Sequence, residues 1–283
     1  RVRFESRVSE ATRIEVVTEG VFLRMLVDDP TLDGVSVVIF DEFHERSINS
    51  DLALALVRQS QTLLRDDLRL VLMSATIDAT SLCNTLHAPL VESQGRMFPV
   101  EVVHADDDTI AMASSRRNAD IPLAVARMVS RAHRESDGDI LVFLPGQAEI
   151  QKVTDLLGDS LLPTVVMPLY GNLSPEAQHR AIAPSAGGKR KVVLATPVAE
   201  TSITIEGVRV VVDAGLCRRP VFNARSGLSH LDTVAISKDM MTQRTGRAGR
   251  VAAGTCYRLW TVATENQLAD QRRPEIEEAD LAP

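Results

Sequence analysis

Two neighbouring acids, Asp41 and Glu42, directly follow an apolar run at residues 35–40. Such a run is typical of a buried strand, and open α/β sheets bind their ligands where the strands end. One carboxylate there can hold a Mg²⁺ ion that bridges phosphates, and the other can orient or deprotonate a water molecule. The pair is therefore a candidate hydrolytic site, with His44 close by, although an ordinary acidic loop is the simpler alternative.

A second candidate is the segment 243–250, Gln-Arg-Thr-Gly-Arg-Ala-Gly-Arg. Arg247 and Arg250 are three residues apart, so on a helix they share a face. Guanidinium groups match phosphate oxygens and stabilise charge during phosphoryl transfer. Gly246 and Gly249 remove bulk where a backbone or ligand comes close, whereas in a plain surface helix each would cost about 1 kcal/mol. Phosphate binding is therefore favoured over a surface helix.

A third segment, Ser74-Ala75-Thr76, follows another apolar run at residues 70–73. Small hydroxyl side chains at a strand end can bind a neighbouring loop, or can cap the next turn. The residues alone leave both interpretations open.

The elements that must position these residues follow a regular rhythm. Apolar runs occur at 35–40, 70–73, 140–144, 192–195 and 208–212, and helical patterns lie between them. Near-continuous apolar strands separated by helices predict parallel sheets that are covered on both faces. Ser174 followed by Pro175 predicts the start of a helix.

Composition narrows the class of protein. The chain has 283 residues, which favours about two domains, and its net charge of −7 excludes a polybasic nucleic-acid binder but not a local binding groove. The three cysteines have neither metal-site nor disulfide spacing, which favours a reducing compartment. No apolar run reaches the ~18 residues of a membrane span.

Seven segments in this order resemble the DEAH-box helicases of superfamily 2, most of all the bacterial HrpB-type members. Each segment alone is a weak signal, but the whole series in order is specific. The segments that carry the resemblance are 18–20 (Thr-Glu-Gly), 41–44 (Asp-Glu-Phe-His), 74–76, 141–146, 168–171, 195–205 and 243–250.

The resemblance implies an α/β fold with two RecA-like parallel-sheet domains in tandem, the P-loop NTPase helicase core. It places a first domain at 1–95, a second at 96–262, and the start of a helical or winged-helix extension at 263–283. The chain has no GxxxxGK[ST] loop, which the family places upstream of residue 1. The first domain is thus expected to be truncated at its N-terminus, and the chain alone is expected to hydrolyse ATP slowly or not at all.

The resemblance also implies roles at a site for ATP and Mg²⁺. Asp41 and Glu42 would hold the metal, and Glu42 would also activate the attacking water. His44 would couple the nucleotide site to the second domain. The side chains that would reach the γ-phosphate are Gln243, Arg247 and Arg250. Asp213 would bind the ribose.

Nucleic-acid contacts and coupling residues are implied in the same way. The residues expected at the nucleic-acid backbone are Thr18, Glu19, Gly20, Gly146, Gly171 and Thr196. Those expected to relay domain closure are Ser74, Thr76, Thr201 and Thr204. Pro197 stands where the family usually has Asn, which removes one hydrogen-bonding side chain from that segment.

The resemblance thus predicts a cytoplasmic ATP-dependent RNA helicase, with DNA as a less favoured substrate and contacts that are largely blind to sequence. No membrane association is expected. The alternative is a helicase-like module that binds nucleic acid without hydrolysing ATP. A metabolic α/β enzyme is a third and weaker reading, because the chain has neither a GxGxxG loop nor a nucleophile elbow.

Overall fold

The computed structural model describes residues 8–75, 79–93, 95, 97–106, 109, 120–200, 204–223 and 228–277. The chain divides into two compact units. Unit 1 comprises Arg1–Val91, Phe222–Ser229 and Arg273–Pro283, and unit 2 comprises Glu92–Val221 and His230–Arg272. Within the described residues, no helix combines the length and the apolar composition that a bilayer crossing needs.

Unit 1 is built around two parallel strands. Its elements are α1 (Glu19–Asp28), β1 (Val37–Phe40), α2 (Ile48–Leu63), β2 (Arg69–Leu72) and α3 (Ala79–Leu86). The strands pair with Val38 opposite Leu70 and Phe40 opposite Leu72. Both of these strands were predicted from the apolar runs, and both predictions are confirmed.

The local sequence of unit 1 explains where α2 begins and which face it buries. The Ser47 hydroxyl accepts a hydrogen bond from the Ser50 N–H at 3.1 Å, which caps the first turn. Ala53 and Val57 are spaced one turn apart and are both buried in the core of the unit. This packing fixes the helix beside the strands, whose ends carry Asp41 and Ser74.

Unit 2 contains a six-stranded sheet in the order β3-β10-β7-β4-β6-β5, and every pairing in it is parallel. The six strands are β3 (Val100–His104), β4 (Asp139–Phe143), β5 (Val165–Leu169), β6 (Lys191–Ala195), β7 (Val208–Asp213) and β10 (Gly254–Arg258). The helices of unit 2 are α4 (Asp120–Glu135), α5 (Gln147–Leu157), α6 (Pro175–Ile182), α7 (Lys238–Gly246) and α8 (Val262–Asn266). Two more strands, β8 (Leu216–Asn223) and β9 (Leu228–Ala235), pair in a separate sheet.

The central strands of unit 2 are covered on both faces. Along β4, the side chains of Ile140 and Val142 belong to one core cluster, and those of Leu141 and Phe143 belong to another. Successive side chains of a strand point to opposite faces, so the two clusters lie on the two sides of the sheet. The predicted parallel sheet with both faces covered is confirmed for unit 2. In unit 1 the prediction of two covered faces is wrong, because Val37 and Ile39 on one face of β1 are exposed.

Helix α6 is fixed at both ends. The Ser174 hydroxyl accepts a hydrogen bond from the Ala177 N–H at 3.3 Å, and Pro175 is the first helical residue, as the sequence predicts. At the other end, the ammonium of Lys191 donates to the carbonyls of Ala181, Ile182 and Ala183. A positive charge at a helix C-terminus is favourable, while burial lowers the pKa of this amine.

A histidine of unit 2 is held where protonation is unfavourable. His133 Nε2 lies 2.8 Å from the hydroxyl of buried Thr164. Burial first, and then the positive charges of Arg190 and Arg134, lower the pKa of His133 below its usual value of 6.5. The folded chain therefore binds a proton at this site only at lower pH than the unfolded chain does.

We predict that this difference makes unit 2 less stable as the pH falls below about 6.5, because the unfolded state then binds more protons. The sole tryptophan, Trp260, is buried in unit 2 and its fluorescence reports unfolding. We expect the denaturant concentration at the unfolding midpoint to decrease as the pH is lowered from about 7.5 to about 5.5. The His133→Gln variant shows a smaller decrease. An equal fall in the variant would contradict the assignment.

Candidate functional site

The predicted carboxylates lie at the end of β1, in a loop that is bound to the end of β2. The Met73 N–H donates to the carbonyl of Phe40 at 2.8 Å, and the Phe43 N–H donates to the carbonyl of Met73 at 3.0 Å. Asp41 is exposed and Glu42 is half-buried. The structure thus places the Asp41–His44 segment beside Ser74, at the carboxyl ends of two paired strands.

The backbone at Glu42 is unusual. Its φ is +51°, in the left-handed region that non-glycine residues seldom adopt. The Asp41 carboxylate accepts the Glu42 N–H at 2.9 Å, which holds the turn. Strain of this kind costs about 1–3 kcal/mol and is concentrated at functional sites. Leu32, Arg46 and His87 adopt the same region, so the argument for this loop rests on its place at the strand end.

His44 connects the two strand ends. The side chain is 3% exposed, and its Nδ1 accepts the N–H of Ala75 at 3.3 Å. Its Nε2 lies 3.4 Å from the Glu42 carboxylate. The imidazole therefore bridges Glu42 and the residue that follows Ser74. Ser74 is exposed, and Thr76 lies outside the described residues.

The three residues predicted at the nucleic-acid backbone in unit 1 begin α1. Thr18 precedes the helix, and its side chain makes no capping bond to it. The Glu19 carboxylate accepts a hydrogen bond from the Ser47 hydroxyl at 2.6 Å, so it joins the starts of α1 and α2. A Cβ at Gly20 would meet no atom within 4 Å. All three residues are exposed.

In unit 2 the structure brings together the three other residues predicted to contact nucleic acid. Gly146 follows β4, Thr196 follows β6 and Gly171 follows β5. These strands are neighbours, and their last residues are in register, with Phe143 opposite Ala195 and Ala195 opposite Leu169. The three residues therefore share the edge at which ligands of parallel sheets bind.

Gly146 is required by a close neighbour. It is the N-cap of α5, and the Arg218 guanidinium occupies the space that a Cβ would take. Arg218 donates to the Glu149 carboxylate in the first turn, at 3.1 and 3.2 Å. Sequence analysis missed Arg218, because nothing in the chain indicates that a residue 72 positions away lies at this helix start.

The segment 243–250 forms the last part of α7 and a short 3₁₀ turn, Arg247–Gly249. Arg247 is buried and donates to the backbone carbonyl of Glu200. Arg250 is exposed and donates to the Thr204 hydroxyl at 2.9 Å. Gln243 is half-buried on α7, and Thr201 lies outside the described residues.

The glycines of this segment pack closely against other residues of the protein. A Cβ at Gly249 would approach the carbonyl of Phe98 to 2.6 Å, and one at Gly246 would approach the Met97 methyl to 2.9 Å. The Phe98 N–H also donates to the Gly249 carbonyl at 2.9 Å. The predicted close approach of a backbone is therefore found at Gly249, whereas the close neighbour of Gly246 is a side chain.

Arg244 lies at the centre of a buried ion-pair cluster. It is 0% exposed, and it donates to Glu200 Oε1 at 2.6 Å and to Asp213 Oδ1 at 2.8 Å. The guanidinium carbon lies 4.9 Å from the centre of the Phe143 ring. Burial alone would lower the pKa of Arg244, but the two carboxylates outweigh it and raise the pKa above its ordinary value.

Asp213 was predicted to bind a ribose, and the structure gives its carboxylate other partners. It is fully buried, and besides Arg244 its Oδ1 accepts the N–H of Gly215 at 2.9 Å. The ribose contact stays a prediction. Sequence analysis missed the pairing of Arg244 with Glu200 and Asp213, because Arg244 stands in the same motif as two other arginines and burial alone distinguishes it.

The cluster extends to a second arginine. Glu200 Oε2 lies 3.8 Å from Arg272, which in turn donates to Asp239 at 3.3 Å. Burial raises the pKa of Glu200, and Arg244 opposes that shift. Glu200 is therefore flanked by two guanidinium groups inside unit 2.

Comparisons with known proteins identify helicases as relatives of this chain. Residues 122–252 match the family model of the helicase conserved C-terminal domain. The chain is 46% identical over its whole length to the ATP-dependent RNA helicase HrpB of Escherichia coli K12, and covers 34% of it. Over 99% of its length it is 38% identical to the pre-mRNA-splicing factor ATP-dependent RNA helicase prp22 of Schizosaccharomyces pombe, and covers 24% of it. The chain thus spans about a third or less of these relatives.

Solved structures give the same result. Crystal structures of the E. coli DExH-box NTPase HrpB and of the E. coli DEAH/RHA helicase HrpB match with TM-scores of 0.87 and 0.89. Both are 46% identical and cover 99% of this chain, which covers 34% and 35% of theirs. The expected α/β fold with RecA-like parallel-sheet domains is confirmed.

We predict that Asp213→Asn lowers the free energy of unfolding of unit 2 by about 3 kcal/mol, because it removes one carboxylate from a buried charge pair. Urea unfolding followed by Trp260 fluorescence measures the change. The matched control is Asp270→Asn, since Asp270 pairs with Lys238 but is 85% exposed. An exposed pair contributes about 0–1 kcal/mol, so equal effects of the two substitutions would contradict the prediction.

Proposed function

We propose that this chain, whose resemblance to HrpB-type DEAH-box helicases is confirmed over its whole length, is part of an ATP-dependent RNA helicase. The observation that carries the proposal is that five predicted motifs each follow a parallel strand at its carboxyl end. The motif residues that lie just after the strands are Asp41, Ser74, Gly146, Gly171 and Thr196. Two relatives named as ATP-dependent RNA helicases support the same activity.

Asp41 and Glu42 are proposed to act on ATP and on the attacking water. Mg²⁺ usually takes one or two carboxylates together with water and phosphate oxygens, and this pair at a strand end fits that need. Asp41 would hold the ion with Glu42 beside it, and the ion would neutralise charge on the phosphates. Among the described residues, no group of three or more His, Cys, Asp or Glu side chains forms an all-protein metal site.

Glu42 is proposed as the general base that orients and deprotonates water. Its left-handed backbone and the His44 contact fix the direction of the carboxylate. His44 also accepts the Ala75 N–H, so two non-covalent contacts connect Glu42 to the Ser74 segment. We propose that Ser74, Thr76, Thr201 and Thr204 relay the state of the nucleotide.

The cations of segment 243–250 are proposed to stabilise charge on the phosphates. Arg250 now donates to a neutral hydroxyl, and Arg247 donates to a neutral carbonyl. A charged phosphate is a stronger acceptor than either, which supports the proposal that both guanidinium groups bind ATP. Gln243 is proposed to assist at the same phosphates, and Asp213 at the ribose.

RNA is proposed to bind at the edge formed by Gly146, Gly171 and Thr196, and at Thr18, Glu19 and Gly20. The N-terminus of α5 begins at Gly146, and the free N–H groups of a helix start suit a phosphate. Contacts of this kind read no base sequence and weaken as salt rises. A cytoplasmic location and the limits 1–95, 96–262 and 263–283 for the three parts belong to the same proposal.

The alternative of a nucleic-acid-binding module without hydrolysis has no observation in its favour over this one. Both relatives are named for ATP dependence. The decisive test is therefore catalytic.

We predict that Glu42→Gln lowers RNA-stimulated ATP hydrolysis by about 100-fold or more, because general-base catalysis contributes that much. The measurement is steady-state phosphate release by the longest gene product that contains this chain, with and without homopolymeric RNA. Binding of ATP stays within about threefold, since the variant loses a base and no phosphate contact.

The matched control is Glu45→Gln, an exposed acid in the same short turn. It leaves turnover unchanged. Normal turnover by Glu42→Gln would refute the role of Glu42, and a wild-type protein without RNA-stimulated hydrolysis would refute the proposed function.

A further inference from the structure

Arg244 differs from the two other arginines of its motif in what surrounds it. Its side chain is wholly enclosed in unit 2, whereas Arg250 is exposed and Arg247 reaches a backbone carbonyl. Complete burial and two carboxylate partners occupy the Arg244 guanidinium inside unit 2. Any role of Arg244 in the proposed reaction must therefore act through the protein groups that it contacts.

Arg244 contacts residues at or just after the ends of three neighbouring strands. The guanidinium binds Asp213 at the end of β7 and Glu200 in the segment after β6, and it lies over Phe143 at the end of β4. The same β4 and β6 ends lead into Gly146 and Thr196. One cation thus ties together the strand ends from which the proposed RNA edge is built.

Glu200 is held from two sides by the same segment. Its carboxylate accepts from Arg244, and its backbone carbonyl accepts from Arg247 three residues later. Thr196 and Glu200 are separated by a single 3₁₀ turn, Pro197–Ala199. Thr196 is thus linked to Glu200 through one short turn, and Glu200 is linked to Arg247 through its carbonyl.

Stability alone is a poor explanation for such a pair. A buried ion pair often contributes no more than an apolar replacement of the same volume, because both charges lose their hydration. Breaking it is nevertheless costly, since a charge is then buried without its partner. An ion pair that adds little stability but is costly to break suits a contact that holds one geometry while nearby residues bind and release ATP or RNA.

We propose that Arg244 and Glu200 are a positioning pair that couples RNA contact at Thr196 and Gly146 to the placement of the Arg247 guanidinium. The pair touches neither ATP nor RNA. This inference rests on the proposed function, and it adds the route by which RNA stimulates hydrolysis.

The test uses Arg244→Lys, which keeps the charge but loses the planar fork, and Glu200→Gln, which keeps the shape but loses the charge. The matched control is Arg190→Lys. Arg190 is a half-buried arginine just before β6, and its fork donates to the carbonyls of His133, Ser136 and Gly138. The control therefore removes a comparable set of hydrogen bonds at the amino end of the same sheet.

The readout is the ratio of kcat with RNA to kcat without RNA, together with the KM for ATP, in the longest gene product that contains this chain. Misplacing a catalytic group by about 1 Å costs up to about 100-fold, so we expect each variant to lower the ratio by about tenfold or more while the KM changes by less than about threefold. Arg190→Lys keeps the ratio. The double variant falls no further than either single variant, because both substitutions break one pair.

Several results would overturn the inference. One is an RNA-stimulation ratio within about twofold of wild type in both variants, and another is a KM that rises in proportion to the loss. Trp260 fluorescence verifies that each variant is folded, and if Arg244→Lys does not fold, Glu200→Gln decides alone. A wild-type protein without RNA stimulation overturns the proposed function first and the inference with it, so the two failures are distinguishable.

Discussion

Parallel pairing of β-strands is the constraint on which the organisation of this chain depends. Parallel strands all end at the same edge of their sheet, and the connections between them must cross back over its faces. Residues separated by tens of positions in the chain are thereby brought side by side. Gly146, Gly171 and Thr196 meet at one edge of unit 2 for this reason, and Asp41 and Ser74 meet in unit 1.

The sequence predicts this scaffold well because burial on both faces demands continuous apolar runs. The strands at 139–143 and 208–213 were visible as such runs. The strand at 37–40 was visible as well, although Val37 and Ile39 are exposed on one of its faces. The start of α6 was visible as well, because a capping serine before a proline has a local physical cause. A single sequence therefore predicts strands that are buried on both faces and helix starts that have a local capping residue.

The site was less predictable where a contact depends on tertiary packing. Three arginines in one short motif look equivalent in the sequence, yet Arg244 lies inside an ion-pair cluster while Arg250 is exposed. Gly146 and Gly249 are glycines because Arg218 and the Phe98 carbonyl approach them, and neither neighbour is close in the chain. The left-handed backbone of Glu42 likewise has no signature in the residue type, since glutamate seldom adopts it.

The buried ammonium of Lys191 has a consequence for how a polyanion meets this surface. Its charge serves three backbone carbonyls inside unit 2, and Arg244 is neutralised by its own carboxylates. Together with Glu200 and Asp213 these buried charges sum to zero, so the remaining side chains carry the whole formal net charge of −7. For the RNA binding proposed above, the overall charge therefore supplies no long-range attraction, and capture depends on short-range donors such as main-chain amides at helix starts.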